Sequence, residues 1–197
     1  MNNKSRENIL SAVKRNQPPA EDLVLVEQLP AIRYDDVEAE FIRTLRSIGG
    51  TCHPVTGVAG ISSALTGNFE TGGRWVTTVP GLPAIPRADP LADPHGLENI
   101  EVAIVEGDFG VAENGTVWIK ETSLAIRILP FICQHLVLVL PRQQLLHNMH
   151  EAYDRIGSAE YGFGLFIAGP SKTADIEQSL VLGAHGARTM TVLLLDQ

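Results

Sequence analysis

Short apolar runs rich in β-branched residues alternate with segments of helical period through most of this chain. That alternation limits the architectures open to it. Val37, Phe41, Leu45 and Ile48 mark one face of a helix that Asp35 is placed to cap and Gly49–Gly50 to end. Thr51–Val55 follows as a strand, Ile61–Leu65 is helix-like, and Trp75–Val79 is strand-like. Further strand-like runs are Glu101–Glu106, Leu124–Ile128, His135–Leu140, Leu165–Ala168 and Thr189–Leu195. Pro141 is placed to open a helix with Leu145, Met149 and Ala152 on its apolar positions. Ala174–Leu182 reads as another helix, with Ser171 or Thr173 as its cap. Strands that return through helices build a mainly parallel sheet covered by helices. One signal breaks the pattern: Val111–Glu113 and Thr116–Lys120 flank Asn114–Gly115, a pair suited to a type I′ hairpin turn. The expected fold is therefore α/β, a mixed but mainly parallel sheet flanked by helices, with a central β-hairpin.

Ser5–Arg15 carries Ile9, Leu10 and Val13 at helical spacing, and Pro18–Pro19 closes it off. This predicts a helical arm over residues 1–20 and one α/β domain over 21–197. Pro80–Gly96 holds Pro80, Pro83, Pro86, Pro90 and Pro94 and reads as one long loop.

A formal charge of −8 argues against nucleic acid as a partner, since phosphate needs clustered Lys and Arg. Cys52 and Cys133 are far apart and form no CxxC pair. Two thiols do not make a four-cysteine iron–sulfur site, and they do not suggest a secreted disulfide scaffold. Met1–Gln17 is polar and charged, unlike a signal peptide, and the longest apolar run, Leu136–Leu140, is too short for a bilayer. A cytoplasmic location without direct membrane insertion is the expectation.

Three segments carry chemistry. In Glu106–Thr116, three glycines and three acids lie in and between strand-like runs, and Glu113 beside a tight turn is placed as nucleophile, base or hydrogen-bond acceptor. Gly107, Gly110 and Gly115 are placed to let backbone approach a ligand, with Asn114 and Thr116 beside them. A solvated Glu in an ordinary hairpin is the plain alternative. In Gly169–Glu177, Ser171, Lys172 and Thr173 stand at the expected helix mouth, where amides, hydroxyls and a cation suit a phosphate or carboxylate. Gly169 and Asp175 complete that candidate ligand set. Asp175 and Glu177 also oppose an anion and are suited to organising the loop or meeting a partner. The segment is not a Walker A loop. His185, in Gly183–Arg188, is a candidate proton carrier or a simple helix cap. His147 and His150 are three apart, but no third ligand follows from spacing, so no metal site is assigned. No cofactor is named by any of these segments.

Gly169-Pro170-Ser171-Lys172-Thr173-Ala174-Asp175-Ile176-Glu177, followed by Leu180-Val181-Leu182-Gly183-Ala184-His185-Gly186, closely resembles the C-terminal signature of the lactate utilization protein C family, a LUD-domain family. Glu106–Thr116 resembles that family's central acidic-glycine segment. The resemblance covers most of residues 35–197. It implies a domain related to the sugar-isomerase and coenzyme A transferase superfamily (NagB/RpiA/CoA transferase-like). It also implies a place in an L-lactate oxidation system, lactate to pyruvate, whose partner proteins carry the iron–sulfur clusters. Where the family often has Glu-Thr-Gly-Thr, this chain has Glu113-Asn114-Gly115-Thr116. Ala112-Glu113-Asn114-Gly115 is similar to the Ser-Glu-Asn-Gly motif of some coenzyme A transferases, whose Glu forms an acyl thioester, with Ala112 in place of the serine. Three functions follow as expectations. The first is a component acting with iron–sulfur subunits and binding a small anionic ligand. The second is a self-contained coenzyme A transferase-like or other acyl- or phosphate-ligand enzyme using Glu113. The third is a non-catalytic anion-binding module. Self-association into a homo-oligomer stays open.

Overall fold

The structure is a computed structural model that describes residues 3–22, 30–70, 72–89, 93–158, 162–173 and 181–196. The chain divides into two compact units, Met1–Pro30 and Ala31–Gln197. In the first, helix α1 spans Asn3–Arg15, with Lys14 and Arg15 in its last turn, where cations meet the negative end of the helix dipole.

In the second unit, strands β1 (Thr51–Thr56), β2 (Arg74–Thr77), β3 (Ile100–Glu106), β6 (His135–Pro141) and β11 (Thr189–Asp196) form one sheet in the order β1-β11-β6-β3-β2. Every pairing in it is parallel. Successive side chains of a strand point to opposite faces, and the two faces fill two cores. Ala103, Val105, Leu136, Leu138, Met190 and Val192 face helix α2 (Val37–Ser47) through Phe41 and Leu45, both fully buried. Complete burial of side chains this size contributes about 1.5–3 kcal/mol each. Val102, Ile104, Val137, Val139 and Leu193 face helix α3 (Gly57–Asn68) through Ile61 and Leu65. The residues after β2 form a long excursion whose end folds back: Thr77 N donates to Pro86 O at 3.0 Å, and Ala88 N donates to Thr77 O at 2.9 Å.

The α/β reading with a mainly parallel sheet flanked by helices holds. The hairpin, however, belongs to a second sheet. Strands β4 (Phe109–Val111), β5 (Thr116–Lys120), β7 (Leu145–Leu146) and β8 (Gly164–Ile167) run in the order β7-β4-β5-β8. One face of this sheet, through Val117 and Ile119, joins the α2-side core. The other, through Phe109, Val111 and Trp118, packs on helix α5 (Met149–Ile156) by way of Ala152.

Five local expectations are corrected. The α2 cap is Asp36, whose Oδ1 accepts from Ala39 N at 2.9 Å, and not Asp35. The hairpin turn is not type I′: β4 ends at Val111, residues 112–115 make the connection, and of these only Gly115 has positive φ (+68°). Gly115 N then donates to Val111 O at 2.9 Å, a wider turn that takes Glu113 off the strand. Leu124–Ile128 is not a strand. A tight turn with Ala125 at φ +55° leads instead into the short helix α4 (Leu129–Ile132), and the apolar side chains anchor that turn in the core. Pro141 ends β6 and opens only a three-residue 3-10 turn, Arg142–Gln144; β7 then intervenes, and α5 starts only after Asn148, whose side chain accepts from Glu151 N at 3.0 Å. Lys172–Thr173 (β9) and Val181–Leu182 (β10) pair antiparallel, so these residues are a strand ladder and not a cap and a helix end. Residues 174–180, with Asp175 and Glu177, lie outside the described residues. Among the described residues no helix is long and apolar enough to cross a membrane.

Candidate functional site

Glu113 sits exposed in the turn between β4 and β5, and both its backbone and its carboxylate face the start of α5. Glu113 N donates to His147 O at 3.1 Å, and Glu113 Oε2 accepts from Met149 N at 2.8 Å. Met149 is the first residue of α5, so the carboxylate fills one of the unpaired amide positions of a helix start, where the dipole favours negative charge. Asn148 and Glu151 satisfy the neighbouring amides: Asn148 Oδ1 accepts from Glu151 N, and Glu151 Oε2 accepts from His147 N at 2.9 Å.

His147 is fixed in orientation. Its Nδ1 accepts from Tyr34 N at 3.1 Å, which in the neutral ring assigns the proton to Nε2. The Tyr34 and His147 rings stack with centroids 6.3 Å apart. Partial burial pushes the Tyr34 phenol above its usual range, helped by the negative charges of Glu40 and Glu113, while Arg43 opposes them. Glu40 is held below the usual carboxylate range, chiefly by its hydrogen bonds from Arg43. Arg33 pairs with Glu151 at 2.9 Å. Tyr34, Arg33, Glu40 and Arg43 line a hollow of about 370 Å³. Chemically, this corner offers a carboxylate bound by one oxygen, an imidazole of defined tautomer, and a phenol between two acids.

The second segment lies nearby in the fold, but its groups point elsewhere. Strand β5 pairs with β8, placing Val117 opposite Ile167. The turn at Gly115 and the turn at Gly169 (φ +72°) therefore stand on adjacent strands at one end of the sheet. Both lie against α2: a Cβ on Gly115 would fall 2.8 Å from Leu45 N, and one on Gly169 would fall 2.8 Å from Ile48 O. Lys172 Nζ donates to Ile48 O, so the ammonium sits at the C-terminal end of α2. Ser171 N donates to Ala187 O at 2.9 Å, and Gly183 N donates to Ser171 O at 3.0 Å, tying the exposed His185 loop to this turn. The half-buried Thr173 lies in the β9–β10 ladder.

The two segments thus meet on α2. Glu113 is bound to the start of α5, and Lys172 is bound to the end of α2. Asn114 Oδ1 accepts from Thr116 N at 3.2 Å, and the buried Thr116 hydroxyl donates to Ile167 O at 3.1 Å. The close approaches at the other glycines are to protein: Gly107 faces Val117, and Gly110 faces Phe41, Leu140 and Leu145. His147 and His150 do not share one helix face, since His147 precedes α5. Among the described residues no group of three or more His, Cys, Asp or Glu is placed to hold a metal ion. Sequence reasoning missed Tyr34, Asn148 and Glu151, and it placed His147 in another role. The spacing Asn148-x-x-Glu151 is a readable helix-start signal, whereas the Tyr34 contact spans 113 residues and has no local signature.

The LUD domain family model matches residues 95–195, just over half of the chain. Lactate utilization protein C of Oceanobacillus iheyensis is 30% identical over 105 residues, covering 50% of this chain and 45% of that protein. The protein of the same name from Bacillus pumilus is 31% identical over 111 residues, covering 50% of this chain and 46% of that one. The chain spans about half the length of the curated relatives it matches. A crystal structure of a DUF162 family protein from Deinococcus radiodurans superposes with a TM-score of 0.58 at 16% identity, covering 81% of this chain and 96% of that one, and shows the same fold. The matched region holds β3 to β8, the Glu113 turn, the Gly169 turn and nearly all of β11. On the extent of that match, the chain belongs to the LUD domain family.

Proposed function

We propose that this chain is a cytoplasmic component of an L-lactate oxidation system, acting with iron–sulfur partner proteins in converting lactate to pyruvate. The observation that carries the proposal is that the family match encloses both the Glu113 turn and the Gly169–Gly186 segment, in relatives named for lactate utilization. A small anionic ligand is placed at the Ser171–Lys172 turn. Lys172 rests on a neutral carbonyl and has no carboxylate partner among the described residues, so its charge is left to attract an anion. The test is growth on L-lactate as sole carbon source after deletion of the gene. Loss of growth restored by the wild-type gene, with iron–sulfur proteins co-purifying, is the expected result. Unimpaired growth of the deletion strain would refute the proposal.

A second reading, a coenzyme A transferase-like enzyme with Glu113 as nucleophile, is favoured by the solvent exposure of that carboxylate. It requires Glu113 to leave the Met149 amide. Incubation with acyl-coenzyme A and hydroxylamine should then tag Glu113; an untagged protein would rule this chemistry out.

A further inference from the structure

At the starts of the parallel strands, on the α3 face of the sheet, lies a cleft of about 510 Å³ that none of the chemistry above uses. Thr51, Glu101, His135 and Thr189 each stand first or second in their strands there, and the end of α3 closes the side. Three observations define what fits it.

The first is hydrogen-bond inventory. His135 Nε2 lies 3.4 Å from Glu101 Oε1, and His135 Nδ1 lies 2.8 Å from Thr189 Oγ1. With the ring neutral and its proton on Nε2, toward the Glu101 carboxylate, the Thr189 hydroxyl donates to Nδ1. Thr189 Oγ1 is left as an acceptor. One N–H of the Asn68 amide is used on Ala64 O at 2.7 Å, and the Thr51 and Thr191 hydroxyls are paired at 2.8 Å, which uses one of their two hydrogens. Acceptors, the Glu70 and Glu101 carboxylates among them, outnumber the donor hydrogens left on Asn68, His53 and the threonine pair.

The second is charge. Glu70 and Glu101 line the cleft, and no lysine or arginine does so among the described residues. The third is the helix. The last turn of the twelve-residue α3 ends at the cleft, with Phe69 as its C-terminal cap, adding the negative end of the helix dipole. The Phe69 ring also stands 5.5 Å from the His135 ring and helps to fix it.

We propose that this cleft binds a small primary ammonium, which brings the positive charge that the walls lack and N–H donors for their carboxylates and Thr189 Oγ1. The proposal is independent of the lactate reading. The test is thermal melting of the full chain with ethanolamine, with tetramethylammonium at equal concentration as a cation lacking N–H, and with sodium chloride as an ionic-strength control. Ethanolamine is expected to raise the melting temperature saturably at millimolar concentration, and the two controls are not. In Glu101→Gln the half-saturating concentration should rise about tenfold, as expected for loss of a charge-assisted contact. Glu70→Gln, at an exposed position where folding is not at stake, should show the same direction and serves if the first variant does not fold. No saturable shift with ethanolamine, an equal shift with tetramethylammonium, or an unchanged midpoint in both variants would overturn the proposal. So would magnesium ion saturating the cleft in place of the amine.

Discussion

Gly115→Ala puts the meeting of hairpin and helix to a quantitative test. The added Cβ would stand 2.8 Å from Leu45 N, 2.9 Å from Leu45 Cα and 3.2 Å from the carbonyl carbon of Thr44. All three are backbone atoms in the last turn of α2, so no side-chain rotation relieves the clash. The backbone at φ +68° adds about 1–2 kcal/mol for a residue with a Cβ. Overpacking against a buried neighbour adds about 1–3 kcal/mol. The sum, about 2–5 kcal/mol, corresponds to a melting-temperature loss of about 4–20 °C for a domain of this size. The matched control is Gly67→Ala in α3. Nothing stands within 4 Å of that position, which lies in a helix, so alanine should stabilise by about 0.5–1 kcal/mol. Urea unfolding followed by tryptophan fluorescence reads both variants. If Gly115→Ala loses less than about 1 kcal/mol while Gly67→Ala behaves as stated, the hairpin does not pack on Leu45 as described.

Other outcomes follow from single residues. Burial pushes the thiols of Cys52 and Cys133 up to about 12, so neither should react with a disulfide reagent at pH 8 until the chain is unfolded, as absorbance after mixing will show. Asp36→Ala should cost about 1 kcal/mol through loss of the cap, whereas Asp35→Ala should be silent in the same denaturant assay. The raised Tyr34 phenol makes the folded state hold its proton longer than the unfolded chain, whose value is 10.0, so its contribution is complete below pH 10 and falls away at higher pH. Ultraviolet titration should show late phenolate formation, arriving earlier in Glu113→Gln.

Much of the fold was legible because its signals are local. Alternating apolar runs gave four of the five parallel strands to within a residue or so of their ends, and the periodic Phe41 and Leu45 gave the buried face of α2. What failed was decided by packing between distant segments. Leu124–Ile128 has strand composition, but its apolar side chains serve as anchors for a turn. Asn114-Gly115 has the sequence of a two-residue turn. The close fit of Gly115 on Leu45 accompanies a wider one, which moves Glu113 toward α5. The site shows the same division. Glu113 and Lys172 were visible as charged groups beside turns, but their partners, Met149 N and Ile48 O, are set by tertiary contacts 36 and 124 residues away.

The family match begins at residue 95, yet the physical unit begins near residue 31. The matched region supplies β3, β6 and β11, with both faces apolar. The second sheet adds Val117 and Ile119 on one face, but the helices α2 and α3 and both edge strands, β1 and β2, come from residues 37–77. Without them, Leu136, Leu138, Val137, Val139 and Leu193, at most 3% exposed, lose their α2- or α3-side cover. β3 and β11 become open edges that template aggregation. At about 1.5–3 kcal/mol per large side chain, uncovering even five costs about 7.5–15 kcal/mol, at least half of the 5–15 kcal/mol by which ordinary domains are stable. A fragment of residues 95–197 should therefore aggregate or show no cooperative unfolding, while residues 31–197 should melt in one transition by circular dichroism. A soluble, cooperatively melting 95–197 fragment would show that the family-matched half carries its own core, and the role assigned here to α2 as the shared seat of both turns would have to be abandoned.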